Sequence, residues 1–234
     1  VYTQSANIVP TGNVPCINIT ADNVTFDGNG KWIVNSSFNN RGIYAANRLN
    51  ITVKNVNVTV NRTNINGKGI EFYWVNNSRI DNSTVNSNWF GIYLYELSNN
   101  IISNITANNN NFYGIILQSS NNNNLTSITA NNNSNDGVYI YLSSNNNQLS
   151  NIIANNNYDT GIFLSESNNN NLTNITANSN IWYGIYLSSS SNNNFINGSI
   201  NASNQNAINL ETLPNSDNIF NNISITNTNI SYYD

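Results

Sequence analysis

The chain reads as an all-β parallel solenoid, and three observations predict it. A Gly-Ile-Tyr-Leu segment recurs, starting at Gly42, Gly69, Gly91, Gly114, Gly137, Gly161, Gly184 and Ala207, in steps of 27, 22, 23, 23, 24, 23 and 23 residues. A repeat this short buries no core alone, so each copy must stack on its neighbours. The second and fourth positions of the segment are apolar in every full copy, as in Ile92/Leu94, Val138/Ile140 and Ile185/Leu187, which places both on one face of a strand. Asn, Ser, Thr and β-branched residues dominate the rest, and they suit turns and strands better than helices.

A second strand signal, Leu-x-x-Ile-x-Ala, appears at Leu125/Ile128/Ala130, Leu149/Ile152/Ala154 and Leu172/Ile175/Ala177. Its first two inward positions lie three apart, which predicts a bend inside the strand. About eight to nine coils of ~23 residues, stacked at ~4.8 Å, make a rod on the order of 40 Å long. One domain is expected over 1–234: a cap segment at 1–15 containing Pro10 and Pro15, coils over 16–225, and a tail over 226–234. Asn108, Asn131, Asn155 and Asn178 fall in one column, and Asn110, Asn133, Asn157 and Asn180 in another. Stacked amides of this kind form structural ladders, and Asn also tolerates left-handed turns.

The opening Asn23-Val-Thr-Phe-Asp-Gly-Asn-Gly30, then Asn50-Ile-Thr-Val-Lys-Asn55, then the Gly-Ile-Tyr-Leu coils resemble the right-handed parallel β-helix repeats of the pectin-lyase-like superfamily, including NosD-like and archaeal adhesin-like surface proteins. The resemblance covers roughly residues 16 to 225 and implies a single right-handed parallel β-helix. It is unspecific for activity, because this scaffold hosts lyases, hydrolases, adhesins and inert spacers.

Composition narrows the chemistry. Charged residues make up 8% of the 234 positions, His is absent and Cys16 is the only cysteine. Internal disulfides, His-dependent triads and N/S metal sites are therefore not expected, and no cofactor or metal is expected either. With seven cations and a net charge of −4, nucleic acid is a poor partner. No apolar run reaches ~18 residues, so no membrane span is expected, and the start carries no apolar signal region.

Carbohydrate-active members of the resembled superfamily use clustered carboxylates, often with calcium and a basic residue. Here no Lys or Arg follows Arg79. Glu96 and Glu166 share a repeat position but lie three coils apart, ~14 Å, too far for a glycosidic pair. Asp136 and Asp159, just before Gly137 and Gly161, are the nearest carboxylate pair, ~5 Å apart on adjacent coils, and read mainly as turn residues. No catalytic residue is expected.

Outward positions of the Gly-Ile-Tyr-Leu strand carry Glu71, Tyr93, Ile116, Tyr139, Phe163, Tyr186 and Asn209. Tyr93, Tyr139, Phe163 and Tyr186 should form an exterior column, with Trp89 and Trp182 at the preceding corner. Such a surface is a stabilising ladder, a contact with another copy, or a platform for sugar rings.

Asn-x-Ser/Thr sequons stand at Asn18, Asn23, Asn35, Asn50, Asn57, Asn61, Asn76, Asn82, Asn104, Asn124, Asn132, Asn171, Asn174, Asn197, Asn201, Asn222 and Asn229. They are glycosylation candidates if the chain is exported. All seven cations lie in residues 1–79, which carry net +4, whereas residues 80–234 carry −8. In a solenoid this is an axial gradient; it either favours head-to-tail contact or is drift in composition whose negative end keeps monomers apart.

The expected function is that of a non-catalytic extracellular or cell-surface structural or adhesive glycoprotein, self-associating into a filament or layer. The alternative is a carbohydrate-binding module or a polysaccharide lyase or hydrolase on the same fold.

Overall fold

The computed structural model describes residues 1–10, 14–35, 41–60, 63, 65–202, 205–211, 214–226 and 230–232. Asn61, Arg62 and Asn229 lie outside the described residues. The chain winds as a right-handed parallel β-helix of about nine turns. Among the described residues, one sheet holds ten strands and another twelve, all paired in parallel.

The Gly-Ile-Tyr-Leu segments form the ten-stranded sheet. It includes Phe90–Tyr95, Ile115–Gln118, Val138–Tyr141, Ile162–Ser165 and Ile185–Ser188. Register is strict: Ile92, Ile115, Val138, Ile162, Ile185 and Ile208 pair in sequence up the rod. These residues and their partners Leu94, Leu117, Ile140, Leu164 and Leu187 are buried. Each adds ~1.5–3 kcal/mol of apolar burial.

The Leu-x-x-Ile segments form the facing sheet, through Asn124–Thr129, Gln148–Ile153 and Asn171–Asn180. The expected bend is present. Asn104, Ser127, Asn151 and Asn174, each just before the inward Ile, hold φ near +55° (54, 54, 55 and 56). One left-handed residue turns the strand, and pairing skips it and resumes in the same register beyond.

The first two full coils are longer because each carries a third strand, Trp32–Asn35 paired with Asn57–Val60. This accounts for the step of 27. At the N-terminal end, Tyr2–Thr3 pair with Phe26–Asp27 and Ile8 bridges to Ile33, so residues 2–8 lie against the first coil. At the other end, Ile230–Tyr232 pair with Ile208–Leu210, so sheet pairing continues into the segment expected as tail.

Asn divides between two jobs, often in adjacent residues. In the pairs Asn109/Asn110, Asn132/Asn133 and Asn156/Asn157 the first member has positive φ and is exposed. The second is buried and joins a ladder, in which Asn88, Asn110, Asn133 and Asn157 each donate Nδ2–H to the next Asn Oδ1 at 3.0–3.2 Å. The Asn108 column is also a ladder, but its carbonyls point the other way, as Asn131 N–H donates to Asn108 Oδ1. A third ladder, Asn100, Asn123, Asn147, Asn170 and Asn193, and a serine file, Ser120, Ser144, Ser167 and Ser190, complete the corners.

Candidate functional site

The outer face of the ten-stranded sheet carries three parallel columns of side chains. The middle one is the outward Gly-Ile-Tyr-Leu position, where Tyr44, Glu71, Tyr93, Ile116, Tyr139, Phe163, Tyr186 and Asn209 stand in register. The residue just before each glycine makes the second column, including Lys68, Phe90, Tyr113 and Asp136. The third holds Tyr73, Tyr95, Gln118, Tyr141 and Ser165.

Rings stack wherever successive coils supply them. Tyr139 and Phe163 centroids are 4.8 Å apart, and Phe163 and Tyr186 4.4 Å, with interplanar angles of 17° and 9°. These spacings equal the coil rise, so the register itself makes the stack. Tyr113 and Tyr141 flank Tyr139 at 5.2 and 4.5 Å.

Ile116 interrupts the run. It points outward as expected but is buried, because Tyr93 from the coil before and Tyr141 from the coil after both donate hydroxyl hydrogen bonds to Gln118 Oε1 beside it. Around this break lies a shallow groove of about 450 Å³, lined by Ile65, Asn66, Lys68, Phe90, Tyr93, Tyr113, Ile116, Tyr139 and Tyr141. Trp89 stacks on Phe112 at 5.7 Å, and Trp182 is exposed next to Tyr183. The remaining column members, Tyr93, Tyr139, Phe163 and Tyr186, are half-buried.

Asp136 and Asp159 do not share a column. Asp136 immediately precedes its glycine and stacks under Thr160, whose backbone N–H donates to Asp136 Oδ1 at 3.0 Å. Asp159 stands one residue earlier in its coil, level with Asn135. Asp136 is therefore buried while Asp159 is half-exposed. Burial, reinforced by the Asp159 charge, pushes the Asp136 carboxyl well above its usual range. Burial raises Asp159 as well. Tyr139 is pushed up to about 12 and Tyr113 higher still, in both cases by burial first and the Asp136 charge next. The groove thus presents neutral tyrosine hydroxyls, and the Asp136 carboxyl that raises them is buried outside its lining.

The cations nearest the groove are already engaged. Glu71, 3% exposed, is held by the Arg41 guanidinium and, at 2.7 Å, by Lys68 Nζ. Lys68 Nζ also lies 4.6 Å from the centre of the Tyr93 ring. Sequence reasoning missed this trio and the Gln118 bridge. The trio had a signal, cations before two successive glycines with an acid at the outward position after the second.

Among the described residues, no group of three His, Cys, Asp or Glu side chains is placed to hold a metal ion. A second groove, about 350 Å³ and lined by Asn29, Asn55, Asn57, Asn82 and Asn104 with neighbouring polar residues, lies on the other sheet.

Of the sequons, Asn18, Asn23, Asn50, Asn82, Asn104, Asn124, Asn132, Asn171, Asn174 and Asn222 are exposed, and Asn57, Asn76, Asn197 and Asn201 are half-buried. Asn35 is buried, with its amide on Cys16 Sγ at 3.6 Å.

Residues 12–174 match the family model described as a right handed beta helix region. The chain belongs to the right-handed β-helix family. No curated protein matches it. Among solved structures, a variant of the periplasmic alginate epimerase AlgG aligns at 18% identity and TM-score 0.69, over 86% of this chain and 54% of that one. The A-module of the Azotobacter vinelandii mannuronan C-5 epimerase AlgE4 aligns at 14% identity and TM-score 0.68, over 98% and 77%. Tailspike protein 2 of the Escherichia coli O157:H7 bacteriophage CAB120 aligns at 13% and 0.62, over 94% and 39%. At these identities the likeness is one of fold, and the chain spans about half the length of AlgG. No helix among the described residues is long and apolar enough to cross a membrane.

Proposed function

We propose that the outer face of the ten-stranded sheet binds a glycan chain outside the cytoplasm, without turning it over. The observation that carries this reading is the half-buried aromatic run Tyr139–Phe163–Tyr186 opening into a groove bordered by the Tyr93, Tyr113 and Tyr141 hydroxyls. Flat apolar rings accept the C–H faces of sugar rings, and the hydroxyls fix their orientation. The names of two structural relatives carry a polysaccharide, alginate or mannuronan, which supports the same class of ligand. The sequons support an exported setting.

Calorimetric titration of the chain against a panel of oligosaccharides tests the reading. Binding that weakens about tenfold or more in Tyr139→Ala, with the melting curve little changed, is the expected outcome. A panel with no binder, or a Tyr139→Ala variant that binds as before, rejects it. Product analysis of the same mixtures tests the absence of turnover.

The axial charge gradient, +4 over residues 1–79 and −8 over 80–234, supports a second reading, head-to-tail assembly of copies. Sedimentation at rising concentration and low salt tests it, and a species that stays monomeric throughout rejects it.

A further inference from the structure

Resting on the glycan reading above, we propose that Glu71 makes the groove select uncharged saccharides over uronate-bearing ones. Lys68 lines the groove and Arg41 stands one coil before it in the same column. Both are committed to the Glu71 carboxylate, which sits at a column position where Tyr44 and Tyr93 stand on either side. Glu71 therefore interrupts the aromatic run with a group that cancels cations and stacks on nothing.

A sugar carboxylate arriving at Lys68 would compete with a short, largely desolvated ion pair inside the protein. That pair is already made and costs the protein no further ordering, so the newcomer gains little. Lys68 is further occupied by the Tyr93 face, 4.6 Å away.

Farther along the face no cation offers an alternative. Residues 80–234 contain no Lys or Arg, and the Tyr186 hydroxyl donates to Glu211 Oε2 at 2.7 Å. A polyanion laid along Phe163 and Tyr186 would meet the Glu211 carboxylate and no basic side chain of the coils it covers, where repulsion acts over a Debye length of about 10 Å. The hydrogen-bonding groups that remain, the Tyr93 and Tyr141 hydroxyls around Gln118, are neutral.

The test titrates the wild-type chain and Glu71→Gln with cello- and manno-oligosaccharides and with oligogalacturonates and oligomannuronates, at low and at physiological salt. The wild type should bind a neutral probe with an affinity that salt leaves unchanged, and bind oligouronates at least about tenfold more weakly. Glu71→Gln frees Lys68 and Arg41 and should gain about tenfold for oligouronates in a salt-sensitive way, while keeping the neutral probe. A wild type that prefers oligouronates, or an unchanged preference in Glu71→Gln, overturns the role of Glu71 and leaves glycan binding standing. No binding of any probe removes both. If Glu71→Gln melts below the assay temperature, the wild-type preference and its salt dependence decide alone.

Discussion

Asn133 Oδ1 accepts two hydrogen bonds from one residue: the backbone N–H of Asn110 at 2.9 Å and its side-chain Nδ2–H at 3.0 Å. The same double contact links Asn88 to Asn110, Asn133 to Asn157 and Asn100 to Asn123. Because the corner leaves the N–H without a strand partner, the next coil's amide takes that place, and the ladder is satisfied along its length.

Asn133→Ala therefore strands the Asn110 N–H and amide in a buried corner. At ~1–3 kcal/mol for each unsatisfied donor, the chain should lose about 2–5 kcal/mol, read by denaturant unfolding. A loss below about 0.5 kcal/mol would mean that the ladder is ornamental.

The neighbour Asn132 has a different job, holding φ at 56° on the surface. Asn132→Gly should change stability by no more than about 0.5 kcal/mol, whereas Asn132→Ala should lose about 1 kcal/mol, since only the alanine Cβ resists the left-handed turn. Equal losses from both would place the role of Asn132 in its side chain.

Glycine before the strand is required by close approach. A Cβ on Gly114 would meet Gly137 O at 2.5 Å and Asn133 Nδ2 at 2.8 Å. Gly114→Ala must push the next coil and the ladder apart, so a loss above about 3 kcal/mol or failure to fold is expected. Thermal melting followed by circular dichroism reads this directly.

Much of this was legible in the sequence. The Gly column and the Ile/Leu pairs two apart gave the coil, its length and its inward face, because parallel in-register stacking forces each column to keep one chemistry. The bend between Leu125 and Ile128 followed from a spacing of three. Two of the Asn ladders were visible at a 23-residue period, and the Asn100 ladder was present at the same period but went unread. What stayed hidden was diagonal. Tyr93 reaches Gln118 from the preceding coil and a neighbouring column, and Arg41 reaches Glu71 in the same way; the Tyr141 bond to Gln118 runs within one column. Column reasoning treats each file separately, so it expected Ile116 to be exposed and Asp136 to face Asp159 side by side. One residue of offset put Asp136 inside and Asp159 at the surface.

That offset has a consequence with pH. The Asp136 pKa is raised in the folded chain, so folding retains a proton that the unfolded chain releases above about pH 4. The contribution is fully present below the unfolded value and is lost as pH climbs through the raised one; Asp159 acts in the same direction. Melting temperature should therefore fall from mildly acidic to alkaline pH. Asp136→Asn keeps an oxygen for the Thr160 N–H and should flatten that slope. A variant as pH-dependent as the wild type would assign the effect elsewhere.

The most direct test of the account is a crystal structure of the chain grown with a neutral oligosaccharide that it binds. Sugar rings lying on Tyr139 and Phe163 beside the Ile116 break, with Lys68 still on Glu71, are the predicted result. Rings in the Asn-lined groove of the opposite sheet, with the aromatic face bare, would contradict it.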